Sequence, residues 1–352
     1  MKGAAVAALL LAPQLACSHA EPFGFDVPPA DSALAPGPVA RMTFNAGDDV
    51  DPAWLDSTAL LYTAERLDRA DRDRCVVMLP ARGGTMAPWL CPETLDSRDT
   101  LDVIEAVAPA RTGALAYVWT RFDLFPLTPF RERHLVVATR GTPFTARARV
   151  RLPIRAAGGF VPHFGAQDIR WLGPDELVYR SVTPHYPQPC KACRRDAVTP
   201  LEIVHGLVDA DTLILTAIPG TLFSTSLALI PPDTLLYTVM GDSLLYRRVL
   251  GAATSDVVAD FGPEIVRGVQ VVGNRIVVIV GGLVAVVIIP TIGIVQNDDG
   301  GRVVLVDRAT GARVTLLAGR LYRHPALAAD GRRLLAEART GATWDVWALD
   351  LP

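Results

Sequence analysis

Lysine is almost missing from this sequence. Of its 34 basic residues only Lys2 and Lys191 are lysine, and the other 32 are arginine. Against 37 acidic residues they leave a net charge of −3 over 352 residues. That balance, with a pI near 6.1, excludes the basic face that a nucleic-acid binder needs. The preference for arginine reads as genome composition. Charged residues are few at 20%, against 50% hydrophobic, which excludes a disordered chain. Unbroken helical periodicity is absent too, because 28 glycines and 28 prolines recur throughout, and a coiled coil is excluded. The chain holds no phosphate-binding loop, no dinucleotide fingerprint and no Gly-x-Ser-x-Gly nucleophile elbow. His163, His185, His205 and His324 stand isolated, without the spacing of a metal-ligand pair.

What is present begins at the N-terminus. Met1 and Lys2 precede the apolar stretch Gly3 to Ala12 and then Pro13-Gln14-Leu15-Ala16-Cys17. A basic start, a short apolar run and small residues at a cut site make a secretory signal, too short to span a bilayer. The segment resembles a bacterial lipoprotein signal, which implies lipidation of Cys17 as the mature N-terminus and a membrane anchor there. Cleavage after Ser18-His19-Ala20 is the rival and discards Cys17. Either way, residues 1–20 are expected to be a targeting segment. The protein is then exported, either periplasmic or anchored to the outer membrane. Residues 21–40 are rich in Pro and Ala and read as a tether.

The other cysteines agree with an oxidising compartment. Cys75, Cys91, Cys190 and Cys193 are an even set for two disulfides. Cys75 and Cys91 close the two ends of a hairpin pattern and are expected to pair. Cys190-Lys191-Ala192-Cys193 is followed by Arg194, has no second ligand pair and lies in a Pro-rich loop. A loop staple therefore fits it better than haem, zinc or redox chemistry.

From residue 41 a unit recurs about every 55 to 60 residues: an apolar anchor, a tight Asp/Gly/Pro turn and a short β-branched or aromatic strand. Asp51-Pro52-Ala53-Trp54-Leu55-Asp56-Ser57 and His324-Pro325-Ala326-Leu327-Ala328-Ala329-Asp330-Gly331 are its sharpest copies. Copies also surround Trp171 and Pro231, and weaker ones span Val107–Trp119 and Val269–Val280. Each is followed by a second strand pair. This predicts an all-β chain, a single β-propeller of about six four-stranded blades over residues 41–352. The last copy is one strand short, and Val39-Ala40-Arg41-Met42-Thr43-Phe44 is expected to complete it and close the ring. The two sharp copies resemble the Pro-Ala-Trp-Ser-Pro-Asp-Gly repeat of TolB-like and WD40-like propellers of bacterial exported proteins. That resemblance implies a blade, not an activity. Trp54, Trp171, Tyr62, Tyr179 and Tyr237 are expected to be core anchors.

Three copies carry insertions after their strand, Arg121–Arg133, Pro184–Pro200 and Gly281–Gly301, all expected on one face of the disc. Phe122, Phe125, Phe130, His185, Tyr186, Ile288 and Ile289 in these loops are the candidate binding face. Ile276 to Val295 is apolar enough to span a membrane, yet thirteen of its twenty residues are Val or Ile, and Gly281-Gly282 and Pro290 break it. Two buried strands fit better than a helix. Gly241-Asp242-Ser243-Leu244 is similar to the nucleophile motif of GDSL hydrolases, but Leu321 stands where their Asp precedes the His, and a hairpin turn is expected. Asn297-Asp298-Asp299-Gly300-Gly301 lacks the spaced acids of a calcium loop. No catalytic residue, metal or cofactor is expected. The resulting expectation is a monomeric, non-enzymatic module binding an envelope protein or small ligand. Its rivals are a lactonase- or lyase-like enzyme with a channel site, and a structural spacer.

Overall fold

The computed structural model describes residues 39–66, 74–91, 100–110, 113–123, 132–139, 145–151, 168–180, 183–184, 197–198, 201–205, 214–221, 224–239, 241–281, 287–288, 294–295 and 301–351. The expected signal, Cys17 and the tether up to residue 38 lie outside them, as do Phe125, Phe130, His185, Tyr186, Cys190, Cys193 and Ile289. Among the described residues there is no helix, and hence none long and apolar enough to cross a membrane.

Strand β1 (Val39–Arg41) opens the chain and is used last. The first four-stranded group is β2 (Asp49–Trp54), β3 (Ala59–Glu65), β4 (Arg74–Pro80) and β5 (Ala87–Leu90). The second is β6 (Thr100–Pro109), β7 (Ala114–Asp123), β8 (Glu132–Thr139) and β9 (Thr145–Arg151), touching the first by a single parallel bridge from Arg74 to Val103. The third is β10 (Ile169–Gly173), β11 (Glu176–Arg180), β14 (Leu201–His205) and β15 (Ile214–Ala217), with the two-residue strands β12 (Thr183–Pro184) and β13 (Ala197–Val198) between. The fourth is β16 (Ser224–Ile230), β17 (Thr234–Val239), β18 (Leu244–Val249) and β19 (Asp256–Asp260). The fifth is β20 (Val266–Val272), β21 (Arg275–Gly281), β24 (Gly301–Asp307) and β25 (Arg313–Arg320), interrupted by β22 (Val287–Ile288) and β23 (Ile294–Val295). The sixth is β26 (Tyr322–Leu327), β27 (Arg333–Thr340) and β28 (Thr343–Asp350), completed by β1. The first strand of each group lies beside that of the next, and β26 returns to β2, so the six inner strands form a closed ring.

The repeat is therefore a blade, with one difference from the sequence reading. The apolar anchors are strands themselves, the innermost of each sheet, and the short runs after the turn are second strands. Second strands are buried on both sides, which explains their unbroken apolar sequences. In β21, Ile276, Val278 and Val280 pack with Ala228, Leu236 and Leu245 of the fourth blade, while Val277 and Ile279 face Tyr322, Leu327 and Leu334 of the sixth. The start of the run Ile276 to Val295 is thus a doubly buried strand. Likewise Leu60 and Tyr62 pack toward the sixth blade, and Leu61 toward the second. At roughly 1.5–3 kcal/mol per buried aliphatic side chain, these blade-to-blade faces are the main stabilising term.

The insertions leave the end of a second strand and return to a third: Asp123 to Glu132, Arg180 to Leu201 and Gly281 to Gly301. The first is shorter than the sequence predicted. Arg121, Phe122 and Asp123 continue β7, with Phe122 opposite Leu101 in a ladder rather than in a loop. Arg121 stands opposite the fully buried Asp102 in this ladder and donates to its carboxylate at 3.0 Å, a pairing that favours strand there. Ile288 likewise lies in a short ladder, paired with Ile294. Asp242-Ser243 is the expected hairpin, with the Ser243 hydroxyl donating to Asp260 at 2.9 Å.

A disulfide within the first blade and an ion pair at the closing strand add to the apolar packing. Cys75 in β4 and Cys91 just past β5 form a disulfide, their Cα atoms 4.3 Å apart. Arg41 of β1 donates to Asp345 of β28 at 2.9 Å, with both side chains almost wholly buried. Removing one member strands the other charge in low dielectric. Arg41→Met is therefore expected to cost about 3–5 kcal/mol in denaturant unfolding, and Arg41→Met with Asp345→Leu to recover most of it. A loss under about 1 kcal/mol in the single variant contradicts this assignment.

Candidate functional site

An innermost strand has one neighbour in its own sheet, so half of its amides point away from the ladder and need another acceptor. Here side chains of the preceding blade supply it. The Asp51 amide donates to Glu337 of the sixth blade at 2.6 Å, and the Ala106 amide to the Asp51 carboxylate at 3.3 Å. The Leu227 amide donates to Asp168 at 2.8 Å and the Val269 amide to Ser226 at 3.1 Å. Two tryptophans tie in the reverse direction. Trp54 Nε1 donates to the Ala326 carbonyl at 3.0 Å, and Trp171 Nε1 to that of Ala108 at 2.9 Å.

Every inner strand carries a register shift, and three neighbouring ones bulge through a non-glycine residue with positive φ: Asp51 at 56°, Ala106 at 55° and His324 at 45°. Asp51 and His324 each precede a proline, so the chain holds two sparsely populated conformations side by side. Such strain persists only where surroundings fix it, and bulges of this kind re-aim side chains toward a site.

The result is a compact ionic cluster. His324 Nδ1 lies 2.5 Å from Glu337 Oε1 and 3.3 Å from Asp51 Oδ1, and Arg323 bonds the other Glu337 oxygen while lying over the Trp344 ring at 3.8 Å. Burial pushes the Asp51 carboxyl up to about 7, a rise that Glu337 and Glu105 reinforce and His324 opposes. Burial also acts to raise Glu337, but Arg323 and His324 outweigh it and hold that carboxyl at about 2. For His324, burial favours the neutral ring, yet Glu337 and Asp51 together raise it above its ordinary value. Asp51, His324 and Glu337 present donor atoms within 4.8 Å of one another, close enough for the three to share a metal ion. Those atoms are already bound by protein donors, so a metal must displace the His324 proton and compete with Arg323.

Asp51 and His324 border a cavity of about 550 Å³ among the inner strands. Its walls run from the bulges to the turns after the first strands, with Trp54, Trp171, Leu327 and Pro109 as apolar surface and Gln270 and Arg170 as polar points. Trp54 and Trp171 are only partly buried, so they are cavity walls as well as anchors, whereas Tyr62, Tyr179 and Tyr237 are core.

His324, isolated in the sequence, is brought between two carboxylates. Asp51 and Glu337 were not foreseen. A signal existed for the first, since Asp51 and Asp168 both stand three residues before a tryptophan and both accept an amide from the next blade. Of the predicted binding-face residues, Phe122 and Ile288 lie in strands and the others outside the described residues.

No family model matches the chain, and no curated protein matches it by sequence. Among solved structures, TolB from Acinetobacter baumannii superposes with a TM-score of 0.54 at 13% identity, over 85% of this chain and 65% of TolB. The chain thus spans just under two-thirds of that protein's length. A gluconolactonase from Xanthomonas campestris gives 0.49 at 15% identity over 89% of both chains. An oligogalacturonate lyase from Vibrio parahaemolyticus gives 0.46 at 11%, over 89% of this chain and 93% of its own. The likeness to TolB shows the fold, a β-propeller, and nothing of activity.

The cluster has a consequence for stability against pH. Between about pH 4 and 7 folded Asp51 keeps a proton that the unfolded chain has released, so stability falls as pH rises through that window. His324 adds to the fall, its contribution complete below about 6.5 and lost as pH rises through its folded value. Glu337 acts in the opposite sense, its contribution present above about 4.5 and lost as pH drops toward 2. Asp51→Asn is expected to flatten the decline between about pH 4 and 7 in urea titrations. Parallel wild-type and variant curves contradict the assignment.

Proposed function

We propose that this chain is an exported, non-enzymatic binding propeller of the bacterial envelope, taking an envelope protein segment or small ligand in the central cavity. The second-to-third-strand insertions then add selectivity at the opposite rim, and lipid on Cys17 holds the disc at a membrane. The observation that carries this reading is the state of the cavity's polar groups. One Asp51 oxygen accepts the Ala106 amide, both Glu337 oxygens are taken by protein donors, and both tryptophan N–H groups are spent on carbonyls. What faces the space is a preformed wall of aromatic and apolar surface with a few polar points, the composition of a binding pocket. The Cys75–Cys91 disulfide fits an oxidising compartment.

A second reading rests on His324. Its Nδ1 is held by Glu337 while the ring borders the cavity, as in a carboxylate-oriented acid–base histidine. It predicts turnover of a lactone or uronate ester that His324→Gln abolishes.

Gly173 offers a test that spares the core. It lines the cavity, and a Cβ there meets no atom within 4 Å. Gly173→Trp is expected to melt like wild type yet lose the partner or ligand recovered by cross-linking from native envelope. Recovery unchanged by Gly173→Trp contradicts binding in the cavity.

A further inference from the structure

Arg267 sits at the bulge of β20, where Val266 faces Val280 and Gly268 faces Ile279. It lies close to the ladder end at which Gly281 pairs with Gly301 and the third insertion departs. That is the end of the ring away from the cavity, which β20 reaches only three residues later at Gln270. The guanidinium is packed against bare backbone, since a Cβ on Gly301 would stand 3.4 Å from its Nη2. Its one described hydrogen bond is from Nη2 to the Tyr322 carbonyl at 3.2 Å, and its Nε is buried without an acceptor.

Among the described residues no carboxylate pairs with Arg267. Glu264 is committed to Arg302, and Glu337 to Arg323 and His324. Burial and the neighbouring charge of Arg323 together push the Arg267 guanidinium down to about 10, the direction expected of a cation set beside another cation. Arg323, the neighbouring cation, is already bonded to Glu337, whereas Arg267 is not. A partly buried cation that no described carboxylate pairs is costly, and a planar fork with N–H groups to spare among the described residues is the shape that binds a carboxylate or phosphate bidentately.

We propose that Arg267, backed by Arg323, forms an oxyanion-binding site at the insertion end of β20, which takes a carboxylate or phosphate group of a small ligand. The proposal adds a second, chemically defined contact to the binding-propeller reading and is separable from it. Failure here leaves envelope capture, and its loss in Gly173→Trp, untouched.

The test is calorimetric titration of the folded full-length protein at neutral pH, with inorganic phosphate in one arm and succinate in the other. Chloride holds ionic strength constant, so general screening does not contribute. Saturable binding in at least one arm is expected, and the stronger arm identifies the oxyanion. Arg267→Gln should weaken it about tenfold or more, and Arg267→Lys, which keeps the charge but not the fork, by less. Should Arg267→Gln fail to fold, Arg267→Lys carries the comparison. Absence of saturable binding in both arms overturns the proposal, as does wild-type affinity in the variants. Binding that appears only once Asp298 and Asp299 are changed to Asn also overturns it, because the chain's own carboxylate then fills the site.

Discussion

The ring depends on acceptors for the free edge of each inner strand. A propeller brings six first strands around an axis, and each exposes amides that its own sheet cannot satisfy. Leaving such an amide buried and unpaired costs about 1–3 kcal/mol, so the preceding blade must answer it. Glu337, Asp51, Asp168 and Ser226 do so at four of the junctions. Trp54 and Trp171 reach back across two interfaces to the carbonyls of Ala326 and Ala108. These contacts fix blade against blade in a way that the apolar faces, which are non-directional, do not.

The same constraint decides how the acidic cluster is read. Two carboxylates and a histidine beside a cavity are the raw material of acid–base chemistry, and their shifted ionisation is what a catalytic site shows. Yet Glu337 is wholly buried, and its oxygens serve Asp51, His324 and Arg323, while Asp51 accepts the Ala106 amide and lies beside His324. The cluster first holds two strained bulges in place. The cavity beside it is then a space shaped by those bulges and the turns after the first strands.

Much of the fold was legible because its signals are local. The Pro-Ala-Trp and Pro-Ala-Leu segments, the turns after them and the β-branched runs gave the repeat, and the orphan strand at Val39–Arg41 was found from the missing fourth strand of the last blade. Cys75 and Cys91 were readable as hairpin ends. Other features depend on register. His324 looked isolated because Glu337 comes from the next strand and Asp51 from the far end of the chain. Arg267 gave no signal, since a bulge is a property of pairing rather than of sequence. Arg121 and Phe122 read as loop because the buried partner that extends their strand, Asp102, lies 19 residues earlier. The run Ile276 to Val295 was apolar enough to span a membrane, yet read as buried strands, because a strand covered on both faces, as Ile276–Val280 is, needs apolar residues at every position.

The most direct measurement is amide hydrogen exchange at Asp51, Ala106, Leu227 and Val269. If neighbouring-blade side chains hold the inner strands, these amides exchange only with global unfolding, as slowly as ladder amides of β3 and β21. Exchange at the rate of an exposed turn, while β3 and β21 stay protected, would show that the ring is held by apolar packing alone and that the cluster is free for other chemistry.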